Sequence, residues 1–117
     1  MYQLKLWKGN VTMSQLTTEH NIQHCIRIWC GEHDYLAFRC NVGRVLTADG
    51  KVFDTGLPNG FSDLLVLGNH GDIYFVECKS AKGKQREDQQ SFEKTITARG
   101  FKYILAHSLE EFIKKIC

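Results

Sequence analysis

The sequence has a single proline, no run of 18 apolar residues and no repeated segment. Those absences exclude a proline-rich rod, a bilayer-spanning helix and a solenoid. Low-complexity tracts are missing as well. With 43% hydrophobic and 24% charged residues, the composition argues for a packed core rather than disorder. The five cysteines (Cys25, Cys30, Cys40, Cys78, Cys117) include no C-x-x-C pair. An odd number without paired spacing suits reduced thiols in a cytosol better than a disulfide framework. Charge of one sign is scarce too: 15 basic residues against 13 acidic ones leave +2, too little to name a polyanionic partner from bulk charge. The opening stretch MYQLKLWKGNVTMSQ lacks the apolar core of a signal peptide. A soluble, cytoplasmic protein without membrane association is therefore expected, with residues 1–16 as a lead-in, Met13 as a candidate alternative start, and one domain over 17–117.

Within that frame the hydrophobic pattern is informative. Ile22, Cys25, Ile26 and Trp29 recur at helical spacing, so a helix is expected from Thr17 to Trp29, capped by Thr17 or Thr18 and closed by Gly31. Tyr35–Cys40 reads as a short strand, and residues 41–60, broken by Gly43, Gly50, Gly56 and Gly60, as loops around a short hairpin. Asp63–Leu67 and Ile73–Lys79 read as two strands joined by a five-residue turn. A second helix is expected from about Arg86 to Arg99, stopped by Gly100. A strand FKYILAH follows, and Ser108 to Glu111 forms an S-x-x-E capping box opening a last helix with Phe112, Ile113 and Ile116. The order α-β-β-β-α-β-α implies a mixed β-sheet flanked by helices, an α/β class.

The chemistry concentrates on the middle hairpin. Side chains alternate across a strand, so Glu77 and Lys79 share a face with Phe75, while Val76 and Cys78 take the other. If the hairpin folds symmetrically about His70, residues whose numbers sum to 140 face each other, and Asp63 lies across from Glu77. Their Cβ atoms would be roughly 4.5 to 5.5 Å apart. Two carboxylates that close repel, and burial sharpens the repulsion. A hard divalent cation such as Mg²⁺ resolves it with oxygen ligands and retained waters. Lys79 then stands ready to hold a phosphate oxygen or an attacking water. Taken alone, E-x-K is a common tripeptide whose ordinary role is a surface ion pair; Asp63 at the matching register is what favours chemistry. Glu19 and Gln89 each precede two apolar residues at helical spacing and so lie on inward stripes. A first-turn acid favoured by the helix dipole, and a boundary glutamine, are their ordinary readings. Lys79, Lys82, Lys84 and Arg86 crowd into eight positions, either a solvated face or a nucleic-acid-binding patch.

The run Asn59-Gly60-Phe61-Ser62-Asp63, followed by Glu77-Cys78-Lys79, resembles the G-x-x-D…E-x-K signature of the virus-type replication-repair nuclease (VRR-NUC) domain. Lys79 to Phe92 resembles that family's K-T-P-x-G stretch and the glutamine-bearing helix after it, with Ser80-Ala81 in place of the commoner Thr-Pro. Glu19-His20-Asn21-Ile22-Gln23 is similar to its E-x-x-I-Q helix, and Phe38 to Gly43 to its R-x-N-x-G strand end. The resemblance implies the PD-(D/E)xK restriction-endonuclease-like core. It implies that Glu19, Asp63, Glu77 and the Cys78 backbone carbonyl surround a metal, that Lys79 is the catalytic lysine and Gln89 an accessory residue. It further implies an Mg²⁺-dependent endonuclease, with Mn²⁺ as a substitute, that acts as a homodimer on branched DNA such as the four-way Holliday junction.

Three other readings stay open. A linear-duplex or nicking endonuclease would use the same residues. A nuclease fold that binds nucleic acid without cutting predicts a damaged set, yet Asp63, Glu77 and Lys79 are all present. A structural zinc could draw on His20, His24, Cys25, Cys30, His33 and Cys40, but paired short-loop ligand spacing is lacking and Cys25 belongs to an apolar stripe.

Overall fold

The structure, a computed structural model, describes residues 18–117 together with the backbone of two short paired strands, β1 (Leu6–Trp7) and β2 (Val11–Thr12). The rest of the expected lead-in, with Met13, and Thr17 as a candidate cap lie outside the described residues.

Helix α1 (Glu19–Glu32) begins where Thr18 Oγ1 accepts the Asn21 N–H at 3.2 Å. It does not stop at Gly31. The chain stays helical for another residue and turns at Asp34, whose φ of 63° lies in the left-handed region that aspartate tolerates better than most residues. The Tyr35 N–H then returns to Cys30 O at 3.0 Å, the 6→1 bond of a Schellman end. Strand β3 (Leu36–Arg39) follows, then β4 (Arg44–Leu46) and β5 (Val52–Asp54), a separate hairpin whose six residues are all exposed.

Strands β6 (Leu64–Leu67) and β7 (Ile73–Cys78) pair antiparallel as Leu64↔Val76, Leu65↔Phe75, Val66↔Tyr74 and Leu67↔Ile73. Every pair sums to 140, the register expected from symmetry about His70. The turn between them is a single 3₁₀ turn, Asn69–Gly71, in which His70 takes φ 62°. Helix α2 (Glu87–Ala98) ends at Gly100 (φ +87°), and the Phe101 N–H returns to Ile96 O. Strand β8 (Lys102–Ala106) lies parallel to β7, and α3 (Leu109–Ile116) closes the chain. The four-stranded sheet thus has the order β3-β6-β7-β8, antiparallel except at its last pair.

The core lies on one face of this sheet. Leu64, Val66, Tyr74, Val76, Cys78, Ile104 and Ala106 point there and are covered by α1 (Ile22, Cys25, Ile26, Trp29) and α3 (Leu109, Phe112, Ile116). The opposite face carries an aromatic cluster in which Phe61, Phe75, Phe92 and Tyr103 meet at centroid distances of 4.8 to 6.4 Å beneath α2. Helix α2 buries one side chain fully, and that residue is polar: Gln89. Among the described residues no helix is long and apolar enough to cross a membrane.

Candidate functional site

The carboxyl end of β7, the amino end of β6 and the amino ends of α1 and α2 meet at one end of the sheet, over its two central strands. Asp63 stands just before β6. Its backbone O accepts the Cys40 N–H at 2.8 Å, and its Oδ2 accepts the Cys78 N–H at 2.8 Å. The residue is therefore tied to strands on both sides although it is not itself within a strand. Glu77 is the last residue of β7 on the face covered by α2 and is only 1% exposed.

Its two oxygens have different fates. Oε2 accepts a hydrogen bond from Gln89 Nε2 at 2.8 Å and stands 3.8 Å from Lys79 Nζ. Oε1 is buried with no hydrogen-bond partner. Burial raises the Glu77 carboxyl first, and the charge of Asp63 raises it further; Lys79 and Arg86 offset part of this, leaving it at about 8. A buried acceptor without a donor costs on the order of 1 to 3 kcal/mol, and it is retained here beside a second carboxylate. Burial and the charge of Asp63 both work against an ionised Glu77 in this fold.

Gln89 is held at both ends of its amide. Oε1 accepts the Arg86 N–H at 2.9 Å, closing the first turn of α2, and Nε2 donates to Glu77. Because the Arg86 N–H can only meet the amide oxygen, this orientation is fixed by chemistry. Lys79 is 6% exposed, with Nζ 3.9 Å from Glu19 Oε1 and 3.8 Å from Glu77 Oε2. Glu19, at the first position of α1, is half exposed and reaches the cluster through Lys79.

These residues satisfy part of a metal-binding requirement. The orphan Glu77 Oε1, in a carboxyl that feels the charge of Asp63, fits a divalent cation, since Mg²⁺ commonly takes one or two carboxylates together with waters and substrate phosphates. Among the described residues no three His, Cys, Asp or Glu side chains converge on one point. Glu19 therefore stands as a partner of Lys79 in this arrangement, and the carboxylate pair that fits a cation is Asp63 with Glu77.

One solved structure, described as a VRR_NUC domain, matches with a TM-score of 0.64 over 86% of this chain and 96% of its own, at 22% identity. The chain has the VRR-NUC fold. No family model matches the sequence, and no curated protein matches it either.

In this VRR-NUC fold the remaining candidates fall as follows. Lys82, Lys84 and Arg86 are exposed on the loop from β7 to α2, with Arg86 Nε 3.3 Å from Asp88 Oδ1. Of the zinc candidates, Cys25 and Cys30 are fully buried in the core, and His33 stacks on Trp29 with its Nδ1 2.7 Å from Trp29 O. The sequence-level capping box at Ser108 is half present. Ser108 Oγ accepts the Glu111 N–H, but the Glu111 carboxylate turns to His107, meeting both its backbone N–H (2.8 Å) and its ring Nδ1 (2.9 Å). His107 Nε2 donates to Gly83 O at 3.1 Å, fastening the basic loop to the start of α3. This tether was missed from the sequence. Its partners lie 24 positions apart, and no local pattern announces them.

Proposed function

We propose that this chain is a metal-dependent nuclease that hydrolyses phosphodiester bonds in DNA, with Asp63, Glu77 and Lys79 at its centre. The observation that carries the reading is Glu77: a carboxylate buried against a second carboxylate, with one oxygen unpartnered and a buried lysine alongside. Such an arrangement is costly for stability and useful for chemistry. Asp63, Glu77 and the Cys78 carbonyl would hold Mg²⁺, or Mn²⁺ in its place, with Glu19 at the margin. When bound, the ion supplies Lewis acidity and neutralises charge that develops on the reacting phosphate. Lys79 holds a phosphate oxygen or the attacking water with a fixed positive charge. Gln89 keeps Glu77 in place from α2. Lys82, Lys84 and Arg86 meet the phosphate backbone, where each contact adds salt-dependent affinity.

The preferred substrate in this reading is a four-way junction, cut by a homodimer whose two-fold symmetry presents two equivalent sites. The exposed apolar residues Val45, Leu46, Val52 and Phe53 of the β4–β5 hairpin support a second copy as partner. A DNA substrate and reduced thiols together favour a cytoplasmic working place.

The deciding experiment compares cleavage of a synthetic four-way junction with cleavage of its linear duplex arms, in Mg²⁺, Mn²⁺ and Ca²⁺, with mass in solution measured alongside. Junction cutting in Mg²⁺ or Mn²⁺, binding without efficient cutting in Ca²⁺, and loss of cutting in Lys79→Ala are expected. Full activity of Lys79→Ala would sink the site assignment, whereas equal cutting of both substrates would remove only the junction preference.

A further inference from the structure

The segment entering β6 grips α2 at two successive turns. Gly60 is buried with φ +92°, and a Cβ added to it would stand 2.4 Å from the Asp88 carbonyl oxygen and 2.8 Å from its carbon. Both are backbone atoms, so no side-chain rotation can relieve the contact. One residue on, the Phe61 ring lies 4.8 Å from Phe92, which is a turn further along the helix. The residue after Asp88 is Gln89, whose Nε2 reaches Glu77 at 2.8 Å.

We propose that Gly60 is a positioning residue for the candidate site. Its missing side chain lets the backbone of α2 settle to the depth at which Gln89 can hold Glu77. Any side chain at position 60 must push Asp88 back by about 1 Å to recover an ordinary contact near 3.4 Å. A retreat of that size along the Gln89–Glu77 direction opens the bond to about 3.8 Å, beyond hydrogen-bond range. Gly60 thus acts on Glu77 from one side through α2. Three residues later Asp63 grips the Cys78 N–H from the other. One short segment sets both carboxylates.

A positive φ alone would also call for glycine, and the protein contains its own control. Gly56 has φ +84° with nothing within 4 Å of an added Cβ. Gly56→Ala therefore carries the torsional strain without the collision, and Gly60→Ala carries both.

The primary readout is the side-chain NH₂ of Gln89 in a nitrogen-15 NMR spectrum, identified by its disappearance in Gln89→Ala and protected from solvent exchange in the parent protein. Gly56→Ala should keep that protection. Gly60→Ala should lose it, with exchange faster by about 100-fold or more as the amide leaves its partner. A second readout rests on the nuclease reading above. In Gly60→Ala, kcat should fall about 100-fold, the scale expected of a displacement near 1 Å, with KM changed less than about threefold. In a Gln89→Ala background the same substitution should cost less than about threefold more, because its route of action is already cut.

Retained protection in Gly60→Ala overturns the proposal, as do losses that multiply in the double variant. If Gly60→Ala does not fold in plain buffer, it is measured in trimethylamine N-oxide, which favours the compact state, and retained Gln89 protection there overturns it equally. A parent protein that binds metal but cuts no DNA would count against the nuclease reading, and the exchange measurement would then decide the positioning claim alone.

Discussion

Replacing Glu77 by glutamine should make the protein more stable at high pH and inactive at every pH. In the native fold the Glu77 carboxyl is raised from 4.5 to about 8 by burial and by Asp63. Between those two pH values the folded chain keeps a proton that the unfolded chain releases. Stability from this group is therefore full below about pH 4.5 and is lost as pH rises through about 8. At roughly 1.4 kcal/mol per pKa unit, the loss is on the order of 4 to 5 kcal/mol, a large share of the 5 to 15 kcal/mol typical of a whole domain.

Glutamine removes that penalty. Its oxygen still accepts from Gln89 Nε2, and its NH₂ can donate to Asp63. The offset is Lys79, which loses the carboxylate at 3.8 Å and keeps only Glu19 at 3.9 Å. The net gain at pH 9 should then be about 2 to 4 kcal/mol, falling to nothing or to a slight loss at pH 5. Urea unfolding at pH 5, 7 and 9 in the presence of a chelator measures this directly. Saturating Mg²⁺ at pH 9 should close the gap by stabilising the parent protein and leaving the variant unmoved. Parallel pH profiles for the two proteins, or a variant less stable than the parent at pH 9, would refute the raising of the Glu77 carboxyl by burial and by Asp63.

Two further outcomes probe the frame around the site. Burial raises the Glu111 carboxyl, but the hydrogen bonds from the ring and backbone of His107 outweigh it and hold the group below its usual range. Its contribution is therefore present above about pH 4.5 and lost as pH falls through the lowered value. Glu111→Gln should flatten the acid limb of the stability profile by on the order of 1 kcal/mol, since the pair is partly solvent-screened; an unchanged acid limb in thermal melts would count against the tether. Phe112→Ala, which empties a fully buried position packed edge-on against Trp29, should cost about 3 to 5 kcal/mol in urea unfolding. A cost under about 1 kcal/mol would mean that α3 is not part of the core.

What could be read in the sequence follows from how local its causes are. The register of β6 and β7 was legible because a short turn leaves few ways to pair two strands, and symmetry about His70 set every partner. The end of α2 was legible because glycine at position 100 adopts its positive φ without steric cost. The end of α1 was misjudged for the same kind of reason. Gly31 is the residue a helix stop favours, but Asp34 accepts the left-handed turn, and Trp29 and Cys30, both buried, keep the last turn wound against the core. Glu19 falls between. Its inward spacing is real, yet at the first position of α1 it stays half exposed and meets Lys79. The depth of α2 was beyond reach, because the contact of Gly60 with Asp88 joins segments that periodicity treats as independent.

The turn at Asn69–Gly71 lies at the opposite end of the hairpin from Asp63 and Glu77, some four strand residues or about 13 Å away. It nevertheless acts as a ruler for them. If a residue inserted there were taken up by sliding β7 one step against β6, Glu77 and Lys79 would pass to the core face and Val76 and Cys78 would turn toward Asp63. The amino acids of the site would all remain in the chain while the site itself vanished. A register shift arising in this remote turn is therefore as severe as substitution at the centre.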